Sequence, residues 1–362
     1  MDGSSQFNFW GAGGNITLQL AHDVSGLGAR GQKVNLVLSP ADVQTPAELD
    51  TYLAGYRNAQ YRADEASKPV LVDRDNDYYR TFGSNNVFRR TNVKSSINAS
   101  IPEITPESST TQYAVVDRMI GGYVPDVVQN QAERLYDVRR VTSRLCSNAI
   151  MLDREIDVWT MLTTTANWNA ANHTTLGATA AWGTATGPGS ASDPLRDLEN
   201  RIVASAMRPN GIWFNERVAL SFIRHPSVVE HLRATLGDGG YQQITGAVNI
   251  ATQDNVGFTI PGFPPFYVAS AKVLNETSGL LEYILGNHTV LTVSPPGVPM
   301  SGEDIATTHT FRRRGQSGTG FQTREFRIEN RGLGGTMLVV NAADVAKMTG
   351  PNVGGLIRDC FQ

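Results

Sequence analysis

The sequence holds only two cysteines, Cys146 and Cys360, among 362 residues, which excludes a disulfide framework and any cysteine-based metal cluster. Lysine is nearly as scarce, with Lys33, Lys68, Lys94, Lys272 and Lys347 as its five positions. No Gly-Lys pair occurs, which removes the phosphate-cradling P-loop. G-x-S-x-G, H-E-x-x-H and C-x-x-C are also missing, and with them the nucleophile elbow, the metalloprotease helix and the thiol pair. No apolar run approaches the roughly eighteen residues of a membrane-spanning helix. Met1 to Ser5 has neither a basic nor an apolar stretch, so no secretory signal is visible. Charged residues make up 18% of the chain, below the usual quarter or so. A net charge of −3 excludes a strongly basic nucleic-acid binder and an acidic tail protein. The expectation is a soluble protein of a reducing compartment with a neutral or covered surface.

What is present begins with arginine, which accounts for 26 of the 31 basic residues. Its planar fork suits partly buried ion pairs and phosphate. The length predicts two domains, or one with long excursions. Met1 to about Asn35 is glycine-rich without a period and reads as an arm lying along another surface. Pro46 to Tyr56 predicts a short helix, and Lys68–Val72 a strand. Tyr78–Arg90 and Gln112–Tyr123 predict two polar strands around a tip at Thr91–Thr110. Such a ribbon has little core of its own and is marginal alone in water, so a neighbouring molecule is expected to cover it.

Between Pro125 and Gly177 neither Gly nor Pro appears. Val128, Ala132, Leu135, Val138, Val141, Leu145, Ala149, Leu152, Ile156, Trp159 and Leu162 recur there every three or four residues, predicting one helix of about 55 Å with Arg154 off its apolar stripe. Thr163–Ser192 reads as loop. Ser192-Asp193-Pro194 opens a second helix, with Asp or Ser as N-cap, bearing Leu195, Leu198, Ile202 and Val203. A turn at Arg208–Gly211, a buried strand at Ile212–Asn215, and helices at Glu216–Ile223 and Ser227–Leu236 follow, ended by Gly237–Gly240. Phe258–Val268, Leu280–Leu285 and Val290–Val293 read as strands. Thr308–Glu329 reads as a hairpin, and Thr336–Val340 as the last strand before a short tail.

The remaining patterns were tested for chemistry. Gly26–Gly31 matches G-x-G-x-x-G, but a strand follows it where a dinucleotide fold needs a helix. Asp73, Asp75 and Asp77 imitate a calcium loop, yet Tyr78 stands at the glycine position and Ser84 at the final glutamate. Among six histidines only His225 and His231 approach ligand spacing, six apart and separated by a helix start, and His225-Pro226 reads as a turn instead. No catalytic residue, metal or cofactor is expected. Six arginines (Arg312, Arg313, Arg314, Arg324, Arg327, Arg331) face two glutamates between Thr308 and Arg331. This is either a phosphate or inter-subunit patch or a solvated hairpin with cross-strand Arg–Glu pairs.

The order of these parts resembles the HK97-type major capsid protein of tailed bacteriophages. The residues that carry the likeness are Lys68–Val72 with Tyr78-Tyr79, Tyr113, Leu152–Glu155 with Trp159, Ala181-Trp182, Ser192–Leu195, Arg208–Asn210, Ile212–Asn215, and Leu220 with His225-Pro226. They span about Lys68 to Leu236. The resemblance implies an α+β, HK97-like capsid fold: N-arm 1–39, first part of the peripheral domain 40–77, extended β-hairpin or E-loop 78–123, spine helix and peripheral loop 124–192, axial domain 193–307, and peripheral strands with a C-terminal tail 308–362. It implies a non-catalytic shell subunit whose partners are itself, as pentamers and hexamers, and double-stranded DNA bound non-specifically. A portal protein, a separate scaffolding protein and a decoration protein complete the expected partners, with no membrane, in a virion assembled in the host cytoplasm. Arg89, Arg90 and Lys94 are E-loop candidates for inter-subunit contact, and Arg312, Arg313, Arg314, Arg324 and Arg327 are candidates to face a neighbour or DNA. Some family members weld subunits through a Lys–Asn isopeptide bond; Lys94 lacks the surrounding motif and is read as a solvated loop lysine. The alternatives are an encapsulin-like compartment shell and, more remotely, an α/β hydrolase.

Overall fold

The computed structural model describes residues 43–44, 60–81, 110–131, 137–184, 187–254, 258–295, 297, 304–314, 320–330 and 333–362. The arm, the Pro46 helix, the ribbon tip with Arg89, Arg90 and Lys94, and Arg331 lie outside them.

Two mixed sheets organise the described chain. The first is built on β14 (Leu333–Met348), a strand of 16 residues. One edge of β14 pairs antiparallel with β5 (Val116–Pro125). Along its other edge run β13 (Phe321–Asn330) and then β12 (Thr308–Arg313), with β1 (Val43–Gln44) beyond β13 and β2 (Lys68–Val72) beyond β12. The predicted Thr308–Glu329 hairpin is therefore corrected. β12 and β13 never pair; both run antiparallel to β14, and the true hairpin is β13–β14. The sequence shows two Arg-rich strands around a glycine turn, but β14 buries both faces of its middle (Leu338, Val340, Ala342 and Ala343), and so draws both strands to its edge.

The second sheet has the order β6 (His173–Thr175), β15 (Gly355–Arg358), β11 (Thr289–Thr292), β7 (Gly211–Phe214) and β8 (Phe266–Val268). All four residues of both β7 and β11 are buried, as expected for strands covered on two faces. The read tail thus contains a central strand, β15, hydrogen-bonded into the sheet of the 193–307 block. Two small ribbons, β3–β4 (Asn76–Arg80, Thr110–Ala114) and β9–β10 (Lys272–Leu274, Leu281–Tyr283), stand apart from both sheets.

The helices are α1 (Ala63–Ala66), α2 (Asp126–Gln131), α3 (Val138–Thr163), α4 (Pro194–Ala204), α5 (Glu216–Arg224) and α6 (Pro226–Asp254). Local chemistry sets their starts. Asp137 accepts from the backbone N–H of Arg139 and Arg140 to begin α3. Asp193 caps α4 ahead of Pro194, and Asn215 caps α5 by accepting from Val218 N at 2.7 Å. The expected 55 Å spine is thereby shortened, because the Asp137 cap starts a new helix of 26 residues, about 39 Å. Gly237 (φ 71°) kinks α6 without ending it, since a left-handed glycine redirects a helix that the following residues resume.

The spine buries Trp159 and Leu162 of the expected stripe but turns a different face inward over its first half. Its buried residues are Ser143, Cys146, Ser147, Ile150, Arg154, Glu155, Val158, Trp159 and Leu162. Leu145 of the expected stripe is 61% exposed. Small side chains let the helix press onto Gly122 of β5, where a side chain would collide with Thr142. Close approach to the sheet selects the small face over the oilier one.

The main core fills the space between the second sheet and α4–α6, with Trp182, Leu198, Phe214, Phe222 and Phe266 at its centre. Phe214 lies 5.6 Å from Phe266 and 5.9 Å from Phe222, ring centre to ring centre. A second core joins the C-terminal half of α3 to that sheet through Trp159, Leu162, Trp213 and Val290. The spine thus holds the two sheets together.

Candidate assembly elements and their arginine–aspartate junction

The ribbon is rooted by aromatic packing. Tyr113 of β4 stacks on Phe311 of β12 at 4.4 Å and 8° between planes, and Tyr79 of β3 leans on the same ring at 5.5 Å. Val70 completes this small core. Tyr78 of β3 is exposed, whereas the return strand read as Gln112–Tyr123 is split at Val115: β4 stays in the ribbon and β5 joins the first sheet along β14, with Val116, Met119 and Ile120 exposed on it.

Behind the root lies a charged junction centred on Asp344 of β14, whose side chain is 2% exposed. Its carboxylate pairs with Arg118 of β5 and Arg154 of α3, and Arg312 Nε lies 3.8 Å away. Arg118 also binds Asp153 at 2.6 Å, and Asp157, on the spine. Arg312 donates to Asp64 of α1 at 2.9 Å. Burial lowers the Arg154 pKa to about 10, opposed by Asp344. Burial also pulls Arg118 down, but its three aspartates outweigh that and raise it overall. A buried charge is tolerated only when paired in this way. The junction ties spine, α1 and the first sheet at one point.

Glu155, next to Arg154, faces another way. It accepts from the N–H groups of Arg62 (3.0 Å) and Ala63 (2.8 Å) and from Trp159 Nε1 (2.6 Å). Burial pushes its carboxyl up to about 7, with those donors holding it back. It satisfies the N-terminus of α1, a short helix whose preceding residue offers no side-chain cap.

The basic candidates separate on this frame. Arg312 is corrected from a surface candidate to a structural residue, because its side chain is buried and spent on Asp64 and Asp344. Gly320 (φ 75°) leaves room beside it that a Cβ would take. Arg313 binds Asp75 at 2.6 Å and Asp117 at 3.0 Å, and Arg314 binds Asp73 at 2.9 Å. The acidic run that imitates a calcium loop thus answers the arginine run across the β2–β12 edge, and neither cross-strand Arg–Glu pairs nor a bare patch describes it. Arg327 reaches Asp126 at 3.4 Å. Arg324 has no ion pair among the described residues. Sequence reasoning missed Arg118, Arg154 and Asp344; the signal available was an aspartate ending the apolar run Leu338–Ala343.

Chemistry elsewhere is sparse. Among the described residues no group of three or more His, Cys, Asp or Glu could hold a metal. Ser192 and His225 approach to 2.8 Å in the manner of a nucleophile and base. However, His225 Nδ1 accepts from the Ser227 N–H at 3.3 Å, so Nε2 carries the proton and donates to Ser192, whose own proton goes to Gly189 O at 2.7 Å. The bond runs opposite to what a general base needs. This histidine is a turn brace before α6.

No family model matches the chain. A relative named major capsid protein, from Pseudomonas phage JBD67, is 27% identical over 207 residues, which is 56% of this chain and 64% of that protein. The match thus spans just under two thirds of the relative's length. A phage-related protein from Bordetella bronchiseptica RB50 superposes with a TM-score of 0.66 at 18% identity, over 87% of this chain and 97% of its own. A protein described as a prophage capsid protein, from Escherichia coli CFT073, superposes with a TM-score of 0.52 at 10% identity, over 87% and 99%. The likeness read from the sequence holds for the fold: over 87% of its length the chain shares the α+β, HK97-like capsid fold of these structures.

Proposed function

We propose that this chain is a major capsid protein, which self-assembles into the closed icosahedral head shell of a tailed bacteriophage and encloses its double-stranded DNA. The observation that carries this reading is the 207-residue likeness to the capsid protein of phage JBD67, on a fold of the same class. Two features support it. Among the described residues the ribbon is held at its root by Phe311 and keeps Tyr78 exposed. The spine leaves Leu145 61% exposed, where a neighbouring subunit would cover it. Closed symmetry multiplies modest contacts into a stable shell.

In this reading the chain works structurally, without catalysis, as pentamers and hexamers assembled in the host cytoplasm. It is served by a portal, a separate scaffolding protein and a decoration protein. The boundaries 1–39, 40–77, 78–123, 124–192, 193–307 and 308–362 divide it into arm, peripheral, E-loop, spine, axial and closing segments. Arg89, Arg90 and Lys94 reach a neighbouring subunit, and Arg313, Arg314, Arg324 and Arg327 face a neighbour or the DNA.

Electron microscopy of the purified protein from infected or expressing cells, with its ultraviolet absorbance ratio, tests this reading. Uniform closed shells rich in nucleic acid are expected. Shells of protein alone favour an encapsulin-like compartment, and monomers persisting at high concentration overturn both.

A further inference from the structure

β5 pairs with β14 along one edge, and its other edge has no partner strand among the described residues. Thr349 N donates to Thr307 O on the β12 side, so by alternation the even residues of β14 bond to β5. The N–H and C=O groups of Asp117, Met119, Gly121 and Tyr123 therefore point out of the free edge. An open edge of ten residues is a template for another strand unless charge, proline or a bulge guards it. Here the charges are committed within the subunit, Asp117 to Arg313 at 3.0 Å and Arg118 to Asp153 at 2.6 Å, and Pro125 stands only at the last position. Both sides of the edge are apolar. Val116 and Ile120 are exposed on the face that carries Arg118 and Gly122 to the spine, and Met119 and Tyr123 on the opposite face. The spine adds a wall. Round its circumference, at about 100° per residue, Glu155 faces α1, Ile150 faces β14 and Thr142 faces β5. Leu145 and Ala149 come next, over the free edge, and both are exposed.

The arm holds a segment that suits this edge. Residues 34–38 read as a strand, with Val34, Leu36 and Leu38 on one face and Asn35 and Val37 on the other. One side is wholly apolar and the second partly so, as the two sides of the edge require. Their own sheet offers them no place. Continued in the register of β1, Leu38 falls opposite Arg331, beyond Asn330 where β13 ends. Nor can they reach β5 of the same copy. Leu38 is five residues from Val43, a reach of at most about 18 Å. A strand outside β5 lies four strand spacings from β1, about 19 Å straight through the sheet and farther around it.

We propose that residues 34–38 of a second copy of this chain add as a strand along the free edge of β5. Their apolar face lies on Ile120 and Leu145, and Val37 lies beside Met119 and Tyr123. Backbone hydrogen bonds supply the affinity and the alternating side chains the register. The contact is head-to-tail, arm of one copy on sheet of the next, so repetition closes it into a ring. It rests on the self-assembly reading and names the surface by which one subunit meets the next.

Chemical cross-linking tests it in the full-length protein. Both native cysteines are buried, so background is low. V37C and M119C proteins, mixed at assembling concentration with a short bis-maleimide, are expected to give a cross-linked dimer that neither gives alone. A dimer from M119C alone would mean that β5 pairs with its own copy, which overturns the arm as occupant. M119P removes an outward N–H that the ladder to β14 does not use, and L36D puts a charge on the apolar face of the arm segment. Each is expected to raise the concentration at which assembly begins by roughly tenfold, with thermal unfolding of the unassembled subunit unchanged; should M119P not fold, L36D decides. If the wild type assembles but the mixture yields no cross-link and L36D assembles at the wild-type threshold, this contact is wrong and the shell stands. If the wild type never assembles, the self-assembly reading fails and takes the contact with it.

Discussion

Arg118 does not stand opposite Asp344; its ladder partner is Ala342, and it reaches diagonally across the β5–β14 pair to the aspartate two residues on. That diagonal joins the strand that follows the ribbon to the strand on which the first sheet is built. Because Arg154 and Arg312 converge on the same carboxylate, one acidic residue balances guanidiniums from three other elements.

Removing that carboxylate leaves buried cations unpaired. Asp344→Asn is expected to cost about 3 kcal/mol or more, the usual penalty for breaking a buried ion pair from one side. Urea unfolding of the unassembled subunit measures it. A cost below about 1 kcal/mol would show that water already screens the junction.

The three consecutive arginines should separate in the same assay. Arg312→Gln should destabilise the subunit by about 3 kcal/mol, as a buried partner does. Arg313→Gln and Arg314→Gln, with partly exposed pairs, should each stay within about 1 kcal/mol. A loss of assembly or DNA filling in those two variants then reports contacts outside the subunit. Shells that form and fill normally would leave both arginines as local partners of Asp73, Asp75 and Asp117.

Glu155 predicts a pH dependence. Its folded-state pKa is raised to about 7, above the unfolded value of about 4.3. Between those values the native state holds a proton that the unfolded state has lost. Stability from this group is therefore present below about pH 4.3, falls as pH rises toward 7, and is level above. Glu155→Gln keeps a neutral side chain throughout, so it should gain on the wild type by something of order 3 kcal/mol across that interval. Parallel stability curves from pH 5 to 8 would refute the assignment.

The small face of the spine is open to a rescue experiment. Gly122→Ala places a methyl against Thr142 and should cost about 1–3 kcal/mol by overpacking. Thr142→Ser removes the opposing methyl and should return most of that loss in the double variant. Equal costs in both backgrounds would mean that helix and strand are not in contact there.

Several elements were legible from residue order. The helix start at Ser192–Pro194, the strand Lys68–Val72 and the buried strand at Ile212 follow from chemistry within a few positions, which a chain carries wherever it folds, whereas the Asn215 cap lay inside the stretch read as strand. The likeness to capsid proteins could be read for the same reason, since its residues keep their order and spacing. The spine was misread at two points. Asp137 does not interrupt a hydrophobic period, although its side chain caps a helix. Apolar periodicity also selected Leu145, whereas the sheet accepted Ser143 and Ser147.

Local chemistry along the chain accounts for the helix starts and the buried strands. Long-range pairing settled the rest. β14 separates two strands that look like a hairpin, β15 returns the last residues to the second sheet, and Asp344 gathers Arg118, Arg154 and Arg312 from positions up to 226 residues away. Whether an arginine meets solvent, DNA or a buried aspartate depends on which strand lies beside it. That neighbour is set by the packing of the whole chain, because the energy of a charge depends on what surrounds it in space.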